Sequence, residues 1–348
     1  MEKFKNYKFR ASQLFFLDTG TIGVTDDQEL RIQELEKRIV TKLFLSDGQQ
    51  KKYEDYKNRD KLTENQKKEL DGYEIKKNSF LGLTDNMMEE LTDLKSKKEN
   101  QELPQTMKTE LRKIHRAEKF NRNFIFTNKF VQKGLSEEEE AITTYINYRK
   151  KVLGIRTHFV NNKDRLFNDF FQGETDINPF DDNGLKCGAD TKCSWSLDSF
   201  PYPEDALDNR YECQNQVYID LNGADMWITA YVLVNGSEKL VHDEKMKWFY
   251  ALQMPGDAEH KYWDEYCLKC KEIEKMMIFD YDRFVEINPY HQMEYTREQW
   301  MKEGNDIPLE NRVCEKISMK DEVKIQRLRD RVIIARKYLV SLEEQTKI

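Results

Sequence analysis

The sequence has little of what marks a secreted, membrane-spanning or disulfide-stapled protein. Its longest apolar run, MWITAYVLV at residues 226–234, is far shorter than the ~20 residues that a helix needs to cross a bilayer. The first residues, MEKFKNYKFRASQLFF, contain neither the apolar stretch nor the cleavage site of a signal peptide. The 6 cysteines in 348 residues lack the density of a disulfide scaffold. We therefore expect a soluble, cytoplasmic protein with reduced cysteines and no membrane partner.

Motifs for zinc, nucleotide or cluster binding are also scarce. The 5 histidines are scattered, so no zinc site is expected, and no glycine-rich phosphate loop occurs, so ATP use is not expected. Cys267 and Cys270 form a close pair, but only Cys314 follows them, so we expect no iron–sulfur cluster. The net charge of −7 argues against a surface coated for nucleic acid, although a binding site needs only a local positive field.

What the chain has is charge: 35% of its residues are charged and 38% are hydrophobic, which predicts much solvated helix around a limited core. We interpret residues 1–130 as a helical N-terminal region with a charged helical excursion at about 26–103, residues 131–250 as the core, and residues 251–348 as a helical C-terminal region packed on that core. Capping boxes at Thr63–Gln66 and Ser136–Glu139 predict two helix starts. We expect these regions to form one structural unit.

The middle of the chain alternates strand and helix signals, which predicts an α/β fold. Residues 156–162, 166–177 and 187–195 are expected to be strands, with a turn-rich connection at 178–184. A helix ending at Gly223 and a buried strand at 226–236 follow, and from Met246 onward the pattern is helical. The last helix is amphipathic, with apolar residues spaced three and four apart: Ile325, Leu328, Val332, Ala335, Leu339 and Leu342.

One strand carries charges where a core strand should not. In CGADTKCSW, Cys187 and Ala189 point to one face, whereas Asp190 and Lys192 point to the other. Asp176, near the end of the preceding strand, could join Asp190 in holding Mg²⁺ or Mn²⁺, with the Thr191 backbone carbonyl as a third ligand. Lys192 would then position or deprotonate the attacking water in phosphodiester hydrolysis. A structural ion pair between Asp190 and Lys192 is the alternative.

Three more side chains complete this candidate site. Glu138, in the first turn of the helix before the strands, is expected to assist at the metal directly or through water, although any glutamate of 137–140 could face it. Gln214 and Tyr218 lie four residues apart on the following helix, where Gln214 would orient Lys192 or the scissile phosphate. An aromatic stripe packed on the sheet is the alternative for this helix face.

These residues carry a resemblance to a known superfamily. GETD…GADTK resembles the motif of PD-(D/E)XK nucleases, with Asp176 as the isolated acid and Asp190-Thr191-Lys192 as the D-x-K. KGLSE resembles the G-x-x-x-E helix of phage and RecB-type members, and QNQVY their Q-x-x-x-Y. TKCSWSLDSFPYP, FRASQL and DIPLENRVCEKI resemble segments of phage-related exonucleases similar to lambda exonuclease and YqaJ-like viral recombinases. The chain departs from the family in having Thr175 where a proline often precedes the first acid.

The resemblance implies a restriction-endonuclease-like α/β core, a mixed central sheet flanked by helices, with helical extensions at both ends. It also implies a Mg²⁺- or Mn²⁺-dependent exonuclease that degrades one strand of duplex DNA, 5′ to 3′, in phage-type recombination. Its implied partners are duplex DNA ends and a single-strand annealing protein, and a homo-oligomer is among the assemblies it suggests. The rivals are a RecB-like single-strand or endonucleolytic DNase, a nuclease-fold protein that only binds DNA or a partner, and a helical scaffold.

Several residues are candidates for DNA contacts. Lys108, Arg112, Arg116 and Lys119 form one stripe of a helix that would follow the phosphate backbone, unless it is only a solvated face. By family analogy Ser12, with Arg10 nearby, contacts a phosphate; a helix N-cap is the alternative for Ser12. Trp195 is either a core residue or a contact for a base or the DNA end.

Overall fold

The structure is a computed structural model that describes residues 2–122, 128–155, 162, 164–254, 261–288 and 295–345. The chain forms two compact units. We call Met1–Asp18 with Leu111–Ile348 the sheet unit, and Thr19–Glu110 the helical unit. Across the described ranges, no helix is long and apolar enough to cross a membrane.

The strands of the described residues form two sheets. In chain order they are β1 (Phe9–Arg10), β2 (Arg165–Phe167), β3 (Phe171–Glu174), β4 (Ile177–Asp182), β5 (Leu185–Cys193), β6 (Met226–Val232) and β7 (Val313–Met319). The four-stranded sheet has the order β4-β5-β6-β7, in which only the central β5–β6 pair is parallel. The smaller sheet has the order β1-β3-β2.

The helices among the described residues belong to both units. They are α1 (Glu2–Lys5), α2 (Phe15–Asp18), α3 (Asp26–Val40), α4 (Asp47–Lys57), α5 (Glu64–Asn78), α6 (Asp85–Glu99), α7 (Gln105–Phe120), α8 (Lys129–Ser136), α9 (Glu138–Lys151), α10 (Asn209–Asn222), α11 (Glu238–Ala251), α12 (Trp263–Met277), α13 (Tyr281–Ile287), α14 (Arg297–Lys302) and α15 (Glu322–Gln345). The expected α/β fold, a mixed sheet with flanking helices and helical extensions, is confirmed.

One core of the sheet unit lies between α9 and the four-stranded sheet. Cys187 and Ala189 on β5 are fully buried in one cluster with Ile142 and Tyr145 of α9, as the strand alternation predicts. Arg149 near the end of α9 is also buried and pairs with Asp182 of β4 at 2.6 Å and with Glu315 of β7 at 3.0 Å. Because β4 and β7 are the two edges of the sheet, this triad ties the helix to both of them.

The helical unit consists largely of two pairs of contacting helices, α3 with α6 and α4 with α5. Its small apolar cluster includes Ile32, Leu35, Leu91 and Leu94. The predicted capping box is confirmed: the Thr63 side chain accepts from Gln66 N, and the Gln66 side chain accepts from Thr63 N.

The second capping box is wrong. Ser136 is the last residue of α8, and the N-cap of α9 is Glu137, whose side chain makes no capping bond. The Ser136 hydroxyl instead donates to Glu137 Oε1 at 2.7 Å. Two helices meet at this point, so the residue that looked like a start signal lies at the end of the preceding helix.

The turn-rich connection expected at 178–184 is wrong as well. Most of it is strand β4, and the turn itself contains only Asn183 and Gly184, at φ +58° and +84°. Two consecutive residues with positive φ suit the tight turn that joins antiparallel strands. Pro179 is tolerated because β4 is an edge strand whose register shifts between Ile177 and Phe180.

From Met246 onward the regular elements of the described residues are helical, as predicted, with the exception of β7. All seven residues of this strand pair with β6. Its alternation is inverted: Lys316 and Ser318 are buried, whereas Ile317 and Met319 are exposed. Lys316 is satisfied inside by the carbonyls of Pro203 and Asp205. The strand expected at 156–162 lies outside the described residues, apart from Asn162.

The single strand expected at 166–177 is wrong: β2 and β3 form an antiparallel pair over most of this range, and Ile177 is the first residue of β4. The strand expected at 187–195 is confirmed as β5, and two helices and one further strand are confirmed as well. Helix α10 ends at Gly223, which has φ +56°, and the buried strand after it is β6. In α15 five of the six apolar residues are buried: Ile325, Leu328, Val332, Ala335 and Leu339.

Candidate active site

The pairing of β4 with β5 brings the two motif segments together. Ile177 pairs with Ala189 in an antiparallel register, so Asp176, which directly precedes β4, lies opposite Asp190 and next to Thr191. Asp176 Oδ2 accepts two hydrogen bonds from Thr191, from the backbone N–H at 2.6 Å and from the hydroxyl at 2.7 Å. One oxygen of this carboxylate is therefore fixed by the middle residue of the D-x-K.

Asp190 and Lys192, two residues apart on β5, form an ion pair. Asp190 is 3% exposed. Burial raises the pKa of Asp190 to about 7, against the attraction of Lys192, and the charges of Asp176 and Glu138 raise it further. Burial alone lowers the pKa of Lys192, but the carboxylates of Asp190 and Asp176 outweigh it and the net direction is upward.

The four consecutive glutamates do not share one environment. Glu138 is the first residue of α9, and its pKa is raised by burial and by the charges of Asp176 and Glu174, with Lys192 opposing. Glu140 instead interacts with Glu137, and its side chain accepts a hydrogen bond from Asn235. Neither of these partners is among those of Glu138. The charges that act on Glu138 therefore agree with the expectation that this glutamate faces Asp176 and Lys192.

Gln214 and Tyr218 form a chain of hydrogen bonds under the site. Gln214 Nε2 donates to the Tyr218 hydroxyl at 2.8 Å, and that hydroxyl donates to the carbonyl of Glu174 at 2.9 Å. The Tyr218 ring lies so close to Gly173 that a Cβ there would be 2.7 Å from Cε1. Both side chains are buried, and they brace the backbone two residues before Asp176.

The donor set suits a hard divalent cation. Asp176, Asp190 and Glu138 offer carboxylate oxygens. The charge of Asp176 raises the pKa of Glu138 and of Asp190, and the charge of Glu138 raises that of Asp190, a repulsion that a cation would relieve. Among the described residues, no three His, Cys, Asp or Glu side chains already form a metal-binding group. An ion that keeps most of its water and takes one or two carboxylates is compatible with this arrangement. The Thr191 carbonyl as a ligand stays a prediction.

Three residues outside the basic stripe were predicted to contact DNA, and they differ in exposure. Arg10 on β1 and Ser12 in the 3₁₀ helix Ala11–Gln13 are exposed, and the N-cap of that helix is Arg10 rather than Ser12. Trp195 is only 7% exposed and packs in the core formed with α11, α12 and α14, which favours its interpretation as a core residue.

The predicted basic stripe lies on α7, and most of its members have protein partners. Lys108 pairs with Glu102 at 3.0 Å, Arg112 donates to the Tyr338 hydroxyl at 3.1 Å, and Lys119 lies 3.6 Å from Glu343. Arg116 is exposed.

Three features near the site could not be recognised as functional from the sequence. The Thr191 hydroxyl binds Asp176 only because of the strand register, which local patterns do not specify. Lys133 is 1% exposed and donates to the carbonyl of Trp195 at 3.0 Å. Burial lowers its pKa to about 8. Tyr211, whose ring centroid is 5.1 Å from Lys192 Nζ, shares a helix with Gln214 and was visible only as an aromatic stripe.

No protein-family model matches the sequence, and a comparison with curated proteins finds no match. Among solved structures, a phage-related exonuclease from Haemophilus somnus 129PT is similar, at 23% sequence identity and a TM-score of 0.48. The alignment covers 73% of this chain and 89% of that chain.

Proposed function

We propose that this protein is a nuclease that hydrolyses phosphodiester bonds of DNA with the help of Mg²⁺ or Mn²⁺. The observation that carries the proposal is the meeting of Asp176, Asp190 and Lys192 at one point of the sheet, with the Asp176 carboxylate fixed by Thr191. A purely structural ion pair needs only Asp190 and Lys192. It gives no reason for Asp176 and Glu138 to face the same pair, at a cost in mutual repulsion.

In this proposal Asp176 and Asp190 hold the metal ion, and Glu138 assists directly or through water. When bound, the ion supplies a water of lowered pKa and a positive charge beside the phosphate. Lys192 keeps its proton beside Asp190, so its ammonium group orients the attacking water and stabilises the negative charge that develops on the phosphate. Gln214 and Tyr218 act as positioning residues, since they hold the Glu174 carbonyl rather than a substrate.

The finer assignment follows the motifs around this site. We propose an exonuclease that acts on duplex ends, 5′ to 3′, and serves phage-type recombination together with a single-strand annealing protein, with a homo-oligomer as a candidate assembly. Support for it comes from the K-x-S-W segment, the Q-x-x-x-Y helix and the N-terminal A-S segment. Arg10, Ser12, Arg116 and the other stripe residues are the proposed DNA contacts.

The test is digestion of linear duplex DNA by the purified chain with Mg²⁺, Mn²⁺ or EDTA. One substrate has open 5′-phosphorylated ends and its matched control carries hairpin caps at both ends. We expect metal-dependent release of nucleotides from the open substrate alone. Internal cuts in the capped duplex, or digestion of single strands only, would favour the RecB-like alternative, and binding of DNA without cleavage in any metal would contradict a nuclease.

A further inference from the structure

The helical unit has a surface formed by residues that do not belong to the candidate active site. Two segments, 37–45 and 75–83, comprise the last turns of α3 and α5 and the residues that follow them, and they lie side by side. Leu43 N donates to the carbonyl of Ser79 at 2.9 Å, Leu81 N donates to that of Thr41 at 2.8 Å, and Lys42 and Phe80 form an antiparallel bridge. We call these two segments the ribbon surface.

The ribbon surface exposes large apolar side chains in a unit that is otherwise strongly charged. Their exposed fractions are Ile39 46%, Val40 70%, Phe44 79%, Ile75 68%, Phe80 50% and Leu81 42%. Single exposed apolar residues are ordinary, but six of them on two hydrogen-bonded segments mark an interaction site. The small core of the unit uses other residues, such as Leu35 and Leu94, so these six contribute little to its folding.

The same surface is positively charged although the whole chain has a net charge of −7. Segments 37–45 and 75–83 contain Lys37, Arg38, Lys42, Lys76 and Lys77 and no Asp or Glu. Lys37 and Lys42 are exposed, whereas Lys76 donates to Gln49 and Lys77 lies over the Tyr53 ring. Of the flanking acids, Glu36 is paired with Lys95 at 2.7 Å, while Asp47 and Glu74 are exposed.

We propose that the ribbon surface binds an acidic peptide segment of a partner protein, one whose apolar side chains pack on Phe44 and Phe80. Charge complementarity selects an acidic partner, because the exposed cations Lys37 and Lys42 lie in the same segment as the exposed side chain of Phe44. Aliphatic residues such as Val40 and Leu81 favour a protein over a nucleic acid, since bases stack on aromatic rings and gain less from branched aliphatic groups. This inference does not depend on the proposed nuclease activity.

The experiment is selection from a displayed library of random peptides of about 12 residues on the immobilised full chain, followed by fluorescence anisotropy with the selected peptides. Four proteins are compared: wild type, Phe44→Ser with Phe80→Ser, Lys37→Glu with Lys42→Glu, and a control with Lys61→Glu and Lys68→Glu. The control lysines are exposed in the same unit but lie outside the ribbon surface. Circular dichroism confirms that each variant is folded.

We expect the selected peptides to be acidic and to carry aromatic or branched apolar residues. Their affinity should fall by about tenfold or more in both ribbon variants, stay within about twofold in the control, and weaken with added salt. Selected peptides that are neutral or basic, no selection of peptides at all, or equal binding to wild type and the Phe44/Phe80 variant would overturn the proposal. The proposal would also be overturned if the sole effect of the ribbon changes were a loss of oligo-dT binding, or a loss of self-association measured by sedimentation velocity.

Discussion

Replacing Thr191 by valine removes one of the two hydrogen bonds that Asp176 Oδ2 accepts and leaves the other, from the backbone N–H, in place. Valine has nearly the shape of threonine, so the packing around residue 191 is kept. The change therefore tests whether the hydroxyl holds the Asp176 carboxylate for its function or is merely tolerated there.

The size of the effect follows from the environment of the bond. Thr191 is 8% exposed and the acceptor is a carboxylate, and hydrogen bonds to charged groups contribute about 1.5–3 kcal/mol. Asp176 is half-buried, so water partly replaces the lost donor and a loss of about 2 kcal/mol is expected. That energy corresponds to a roughly thirtyfold change in a rate or binding constant.

Two assays measure it: calorimetric titration of the metal-free protein with Mn²⁺, and kcat for digestion of duplex DNA. Thr191→Val should weaken Mn²⁺ binding or lower kcat by about thirtyfold, whereas Thr191→Ser, which keeps a hydroxyl, should stay within a few-fold of wild type. If Thr191→Val binds Mn²⁺ and cleaves DNA like wild type, the hydroxyl does not position Asp176 and this reasoning is refuted.

Three further changes test the packing around the site by urea denaturation. Gly188→Ala should lower the free energy of unfolding by about 3 kcal/mol, because its Cβ would lie 2.1 Å from the Trp227 ring, whereas Gly72→Ala, with open space around it, should not destabilise. Arg149→Met should cost about 3–5 kcal/mol, since it leaves the two carboxylates that the arginine pairs with largely buried and unpaired. The pKa of Lys133 falls from 10.5 to about 8 on burial, so its charge costs about 3 kcal/mol below pH 8, and this cost disappears as the pH rises to about 10.5. Lys133→Met should therefore gain stability at pH 7 and lose that advantage above pH 10; equal stability of the two proteins at both pH values would contradict the cost of burying this lysine.

How much the sequence predicts depends on whether the signal is local. Helix α10 was predictable because Gly223 ends it, and β6 because its residues are apolar without interruption. Strand β7 was missed because its buried positions hold Lys316 and Ser318, which find partners only in the folded chain. No local sequence pattern predicts such a strand.

The candidate site shows the same division. Asp176, Asp190 and Lys192 could be named from their spacing, and the register of β4 against β5 then brought them together. The contact between Thr191 and Asp176 and the burial of Lys133 depend on that register and on helix packing. The expectation that Gln214 orients Lys192 or the scissile phosphate stays a prediction, and its hydrogen bond to the Tyr218 hydroxyl is a contact that the sequence did not specify.

The most direct test of the central claim is the initial rate of degradation of 5′-phosphorylated linear duplex DNA by Lys192→Ala and by Lys186→Ala, with Mg²⁺. Both lysines lie on β5, but Lys186 is exposed and donates to the carbonyl of Asn222, outside the acidic group. We expect Lys186→Ala to match wild type and Lys192→Ala to be about a hundredfold slower or more while remaining folded. Degradation by Lys192→Ala at the wild-type rate would show that the cleavage does not occur at this site.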